Sequence, residues 1–218
     1  MRLPSQRYEQ IKRKAVALLA KVGEESIPIN PFAIAAKIGI RTVSYNSLGN
    51  ARKAACLKIS KSGYKLLLEE HDGTSTWYIF YNDEMPWGHI RFTILHEIGH
   101  IVLEHLQGSD VAEAEANFFA KYTIAPPMLV NIIKPTSYMD IADAFELSNE
   151  GALNSWNYYQ RWLRIPGFTD YELELESLFT VIKKRRRQPH ENDDRPTHEK
   201  GRLAASPAKR PRKAIASP

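Results

Sequence analysis

The stretch Arg91-Phe92-Thr93-Ile94-Leu95-His96-Glu97-Ile98-Gly99-His100-Ile101-Val102-Leu103-Glu104-His105 decides how this chain is read. Ile90, Ile94, Ile98, Ile101 and Val102 recur with helical spacing, so the segment is predicted to be a helix with one face on a core. His96 and His100 stand one turn apart and project to the same side. At that spacing two neutral imidazoles can share a divalent zinc ion about 2 Å from each. Glu97 follows the first histidine and is placed to take a proton from a water that the metal activates. This is the His-Glu-x-x-His pattern of zinc-dependent peptidases. A helix with polar residues on a wet face could produce the same five residues. Against that stand the apolar bed on both sides, the acidic segment that follows, and Gly99. A glycine inside a helix costs about 1 kcal/mol relative to alanine, which implies a close approach by another segment.

A chain of 218 residues can hold one domain with a sizeable core, or one domain and a tail. The single cysteine, Cys56, excludes an internal disulfide framework and fits a reducing compartment. It reads as a small buried side chain rather than a nucleophile. No apolar run has signal-peptide character or the length of a membrane span, so the expectation is a soluble, cytoplasmic protein without a membrane partner. Of the 30 basic and 25 acidic residues, twelve and four fall between Lys183 and Pro218. That segment carries about +8, and residues 1–182 carry about −3. The basic character therefore belongs to the C-terminal end.

Ser5 reads as the cap of a first helix whose stripe is Tyr8, Ile11, Ala15, Leu18 and Val22, ended by Gly23. Asn30-Pro31 starts a short helix over 31–37, closed by Gly39. Strands are predicted over 40–45, 54–61, 64–70 and 77–83, with Ser62-Gly63 as a hairpin turn and Asp72-Gly73 as another turn. The aromatic strand 77–83 is expected to lie nearest the histidine helix. There its open edge would take up an extended peptide, or it would be a core strand with no substrate role. The histidine helix is predicted over 87–106, an acidic helix over 110–124 stopped by Pro126-Pro127, and further helices over 138–145, 149–163 and 170–184. From residue 185 the basic runs, prolines and lack of large apolar residues predict a disordered tail. The organisation expected is a domain over 1–184, with its C-terminal helices within 137–184, and a tail over 185–218.

Two histidines need a third protein ligand, with a fourth position left open for water. No third histidine follows at a fixed short spacing. The acidic helix offers Glu113 and Glu115, with Asn117 one turn beyond Glu113 to orient ligands. Asp110-x-x-Glu113 also fits a capping box, in which Glu113 would only satisfy a backbone donor; Glu115, or neither, would then be the ligand.

Phe92-Thr93-Ile94-Leu95-His96-Glu97-Ile98-Gly99-His100 followed by Glu113-Ala114-Glu115-Ala116-Asn117-Phe118-Phe119-Ala120 resembles the ImmA/IrrE family of metallo-endopeptidases, over roughly residues 8–160. The resemblance favours Glu113 as the ligand, and implies a mostly helical, gluzincin-like zincin core of the α+β class. A small, mainly antiparallel sheet would lie beside the histidine helix. It implies a regulatory protease that inactivates a helix-turn-helix repressor of a mobile element or stress response. The chain departs from the family at Lys121-Tyr122-Thr123-Ile124-Ala125-Pro126, where leucines and a methionine are usual.

The function expected is zinc-dependent peptide hydrolysis. His96, His100 and Glu113 would hold Zn2+, Glu97 would be the general base, and a transcriptional repressor would be the protein substrate. Tyr122, Tyr158, Tyr159, Arg91 and His105 are the candidates for steadying the oxyanion. The competing reading is a non-catalytic regulatory binding protein whose basic tail contacts nucleic acid or another acidic partner. Residues 138–159 are too acidic to read as a DNA-binding helix-turn-helix.

Overall fold

The computed structural model describes residues 2–24 and 26–186. In chain order these form α1 (Ser5–Val22), α2 (Pro31–Lys37), β1 (Arg41–Ser44), α3 (Asn50–Ile59), β2 (Gly63–Glu69), β3 (Ser75–Tyr81), α4 (Trp87–Val102), α5 (Asp110–Ile124), α6 (Pro127–Ile133), α7 (Tyr138–Phe145), α8 (Asn149–Trp162) and α9 (Asp170–Arg186). The fold is α+β and mostly helical, as expected, with one small sheet. Most of the tail predicted from residue 185, from residue 187 onward, lies outside the described residues. Among the described residues no helix is long and apolar enough to cross a membrane.

The apolar stripe of α1 buries Ile11, Ala15, Leu18 and Val22, and Gly23 ends the helix in the left-handed region at φ 57°. Ser5 is the first helical residue rather than the cap; Pro4 precedes it and no side chain caps the helix. Asn30 does cap α2, its side chain accepting from the Phe32 and Ala33 amides. The centre of the core is the buried face of α4, Ile90, Ile94, Leu95 and Ile98, and α5 packs on both α4 and α1.

The sheet has the order β1-β3-β2, with β1 parallel and β2 antiparallel to β3. Three expectations are corrected here. Residues 54–61 are not a strand: Asn50–Ile59 is helical, with Cys56 its buried residue, because Ala51, Arg52, Lys53, Ala54 and Ala55 are strong helix formers on a solvated face. The hairpin therefore joins β2 to β3 through the Asp72-Gly73 turn, not through Ser62-Gly63. The aromatic strand β3 is central and paired on both edges, so it has no edge to offer a peptide; the edge beside α4 belongs to β2. Pro126-Pro127 stops α5 and also starts a further helix, α6, which the sequence reading lacked.

Candidate active site

α4 ends at Val102, a turn earlier than predicted, and Glu104 follows at φ 62°. Lys14 Nζ donates to the Val102 carbonyl at 3.0 Å and Lys65 Nζ to the His105 carbonyl at 3.3 Å, two cations at the negative end of the helix. The turn folds His105 back onto α4, where its Nδ1 lies 3.0 Å from Nδ1 of His100.

Gly99 admits the neighbouring helix. A Cβ there would stand 2.9 Å from Phe119 Cδ1, and Phe119 is fully buried on α5. That close crossing hangs Glu113, on the first turns of α5, over the two histidines. His96 Nε2 and His100 Nε2 are 3.0 Å apart, and each lies 3.3 Å from a carboxylate oxygen of Glu113. One ligand atom from each of the three lies within 4.8 Å of the others. The cap of α5 is Ser109 rather than Asp110, its side chain accepting from the Ala112 amide, so Glu113 lies one residue past the capping-box position. Glu113 is half exposed, facing the cleft.

Glu115 points elsewhere. Arg7 grips its carboxylate with two nitrogens, Nε at 2.6 Å and Nη2 at 2.5 Å, and His105 Nε2 lies 2.9 Å from Oε2. The Arg7 guanidinium, against the opposing cost of burial, holds Glu115 below the usual carboxylate range. Glu115 can only accept, so with one proton per ring His105 donates from Nε2 and accepts at Nδ1. His100 must then donate from Nδ1, which leaves its Nε2 lone pair facing the cleft. Burial pushes both site histidines toward the neutral form, His100 to about 4. The cleft thus gathers an imidazole lone pair, a second imidazole nitrogen and a carboxylate at one point. This donor set fits a divalent metal with His96, His100 and Glu113 as ligands and Arg7, Glu115 and His105 as orienting partners.

Glu97 is buried at 9 % exposure, and burial raises its carboxyl from 4.5 to about 7, partly offset by Lys65. β2 reaches it because Gly63 lacks a side chain: a Cβ there would lie 2.7 Å from both Phe80 O and Thr93 Cγ2. The cleft above these groups, about 500 Å³, is bordered by Gly63, Tyr64 and Lys65 of β2 and by His89, Phe92 and Asn117. Tyr64 and Lys65 were not singled out from the sequence, because no spacing signal links a strand edge to a helix; His89, two turns before His96 on α4, was also passed over although it lies on the same helix.

Of the oxyanion candidates, Arg91 is a structural clamp. It is 1 % exposed and donates to the carbonyls of Phe145, Glu146 and Ile29 at 2.6, 3.0 and 2.7 Å. Tyr159 donates to Asn131 at 2.9 Å, and His105 belongs to the chain behind His100. Tyr122 and Tyr158 border a different groove.

A family model described as an IrrE N-terminal-like domain, Peptidase M78, matches residues 54–184. No curated protein and no solved structure matches the chain. The match takes in α4, α5 and the strand edge that together form the cleft, and on it the chain belongs to the IrrE N-terminal-like family of metallopeptidases.

Proposed function

We propose that this metallopeptidase is a zinc-dependent endopeptidase, with His96, His100 and Glu113 as metal ligands, Glu97 as general base and a regulatory protein as substrate. The observation that carries the reading is the convergence of two histidine nitrogens 3.0 Å apart with the Glu113 carboxylate, beside a buried glutamate poised near neutrality. Zinc bound there would supply Lewis acidity, acidifying a water and polarising the scissile carbonyl. Glu97 takes the water's proton and returns it to the leaving amine. The outer edge of β2 offers backbone groups to an extended peptide across the cleft. A helix-turn-helix repressor is the substrate that the family resemblance favours.

Metal content per chain, measured by elemental analysis, tests the assignment. Wild type and Glu97→Gln are expected to hold about one zinc, and His96→Ala and Glu113→Ala to hold none. A wild-type chain that binds no metal would sink the proposal.

A further inference from the structure

Phe92 divides two cavities. Its ring centroid lies 6.3 Å from that of His96, and with His89 it borders both the metal cleft and a second groove of about 1100 Å³. That volume exceeds what a single small ligand fills and suits several residues of peptide. The groove runs between α1, the start of α4, the end of α5 and α8. Its walls are half-buried aromatics: Tyr8 and Phe118 meet edge to face at 4.6 Å, and Phe118 and Tyr158 at 6.4 Å. Its rim carries Arg2, Lys121 and Arg161, all exposed and, among the described residues, paired with no carboxylate. The two carboxylates at the groove already have partners. Glu9 accepts from Lys12 and Tyr171, and Glu146 from Trp87. Lys121, Tyr122, Ile124 and Ala125, where the sequence departs from the family it resembles, all border this groove.

We propose that the groove seats an acidic, aromatic-bearing flank of the polypeptide substrate; this rests on the peptidase reading and names its substrate class. Three cations without a carboxylate partner among the described residues, on a body that carries about −3 over residues 1–182 with these three included, form a local positive field that selects acidic chain. A segment of about +8, the charge between Lys183 and Pro218, has the opposite sign to the one this rim selects. His89 precedes His96 by seven residues. Along the helix that is about 10 Å, or roughly three residues of extended peptide. The substrate therefore enters the groove about three positions from the scissile bond, on the side of Phe92, and its acidic residues lie beyond that point.

The test uses the full-length chain carrying Glu97→Gln, loaded with zinc, and two fluorescein-labelled decapeptides with the same aromatic positions. One carries glutamates and the other lysines at the remaining sites. Fluorescence anisotropy is expected to show the acidic peptide binding about 10-fold more tightly at low salt. The pair Lys121→Glu and Arg161→Glu should reverse that order, and Lys121→Gln with Arg161→Gln should flatten it at an unchanged melting temperature. Acidic-peptide affinity that survives the reversal comes from another surface, the basic C-terminal segment included, and overturns the proposal. A dimer in sedimentation that the reversal dissolves would assign the groove to a second copy, and also overturns it. Cleavage by wild type and metal content, measured in parallel, judge the peptidase reading separately: a groove that discriminates charge in a chain without metal or turnover would stand while that reading fell.

Discussion

On the two sides of Phe92 the same pair of helices builds opposite kinds of surface. Toward the metal cleft, Glu115, His105 and His100 are bonded to one another in a line that starts at Arg7. Toward the groove, the cations are exposed, have no carboxylate partner among the described residues, and stand above aromatic walls, with Arg161 5.9 Å from the centre of the Tyr158 ring. α5 serves both, with Glu113 and Asn117 on one side and Phe118 and Lys121 on the other. A buried, fully bonded network fixes geometry before anything binds. Exposed charges with no partner leave geometry loose and act through their field. Chemistry needs the first kind and selection among chains tolerates the second, so each variant below should disturb one side and spare the other.

The largest effect is expected from Glu97→Gln. Turnover of a cleaved peptide should fall about 100- to 10,000-fold while zinc content and acidic-peptide affinity stay unchanged. The same variant separates a pH effect. In the metal-free chain the Glu97 carboxyl, raised from 4.5 to about 7, keeps its proton where the unfolded chain has lost it. Its stabilising contribution is therefore present below about pH 4.5 and is lost as pH rises through 7. Glutamine does not titrate. In chelator, urea denaturation should show Glu97→Gln gaining on wild type between pH 4 and pH 8 by about 3 kcal/mol. Equal slopes in the two proteins would mean that the carboxyl is not held in a dry site.

Arg91→Met should act on the groove side. The guanidinium ties α4 to the end of α7 and to Ile29, and Glu146 and Leu147, just past α7, form part of the groove. Leaving three carbonyls without their donor should lower stability by about 3 kcal/mol in urea titration. Zinc affinity at a temperature where the fold persists should change little. If zinc affinity falls with stability, the two sides are mechanically one.

Arg91 also shows where the sequence is silent. It sits in the most informative stretch of the chain, yet its partners are backbone carbonyls 54 to 62 residues away, and no local pattern announces them. The two histidines, Glu97 and the glycine that lets Phe119 in were legible because they lie on one helix at a fixed period. Spacing alone left Glu113 and Glu115 open, since they are two residues apart on one helix, and the partner that turns Glu115 away from the histidines is Arg7, 108 residues off. The misread segment 54–61 had its helix signal in Ala51 to Ala55; one buried residue per ten gives almost no periodicity to find. The early end of α4 depends on Glu104 adopting a left-handed conformation that glutamate rarely takes, so His105 looked like one more helical residue.

Glu115→Gln tests the bonded line. The amide keeps the shape but weakens the charge that Arg7 and His105 share, so His100 is oriented less firmly. Zinc affinity, measured by chelator competition, should fall about 10- to 100-fold, with acidic-peptide binding in the groove unchanged. Glu115→Asp, which restores charge but not reach, should recover only part. If Glu115→Gln left zinc affinity intact, the chain from Arg7 to His105 would be packing alone.

Tyr122 gives the smallest effect and the opposite sign. It lies beneath the groove at 2 % exposure, and its hydroxyl has no hydrogen-bond partner among the described residues. Burial holds the phenol neutral, well above its ordinary range, so it stays a donor with nothing to donate to. An unsatisfied buried hydroxyl costs free energy that the unfolded chain, bonded to water, does not bear. Phenylalanine keeps the ring and removes the group. Tyr122→Phe should therefore stabilise the chain by about 1 kcal/mol in urea, with zinc affinity unchanged. Destabilisation would mean that a water or a neighbouring acceptor satisfies the hydroxyl. The groove side would then, at its floor, be bonded like the line from Arg7 to His100, and the contrast between the two sides would survive only at the rim.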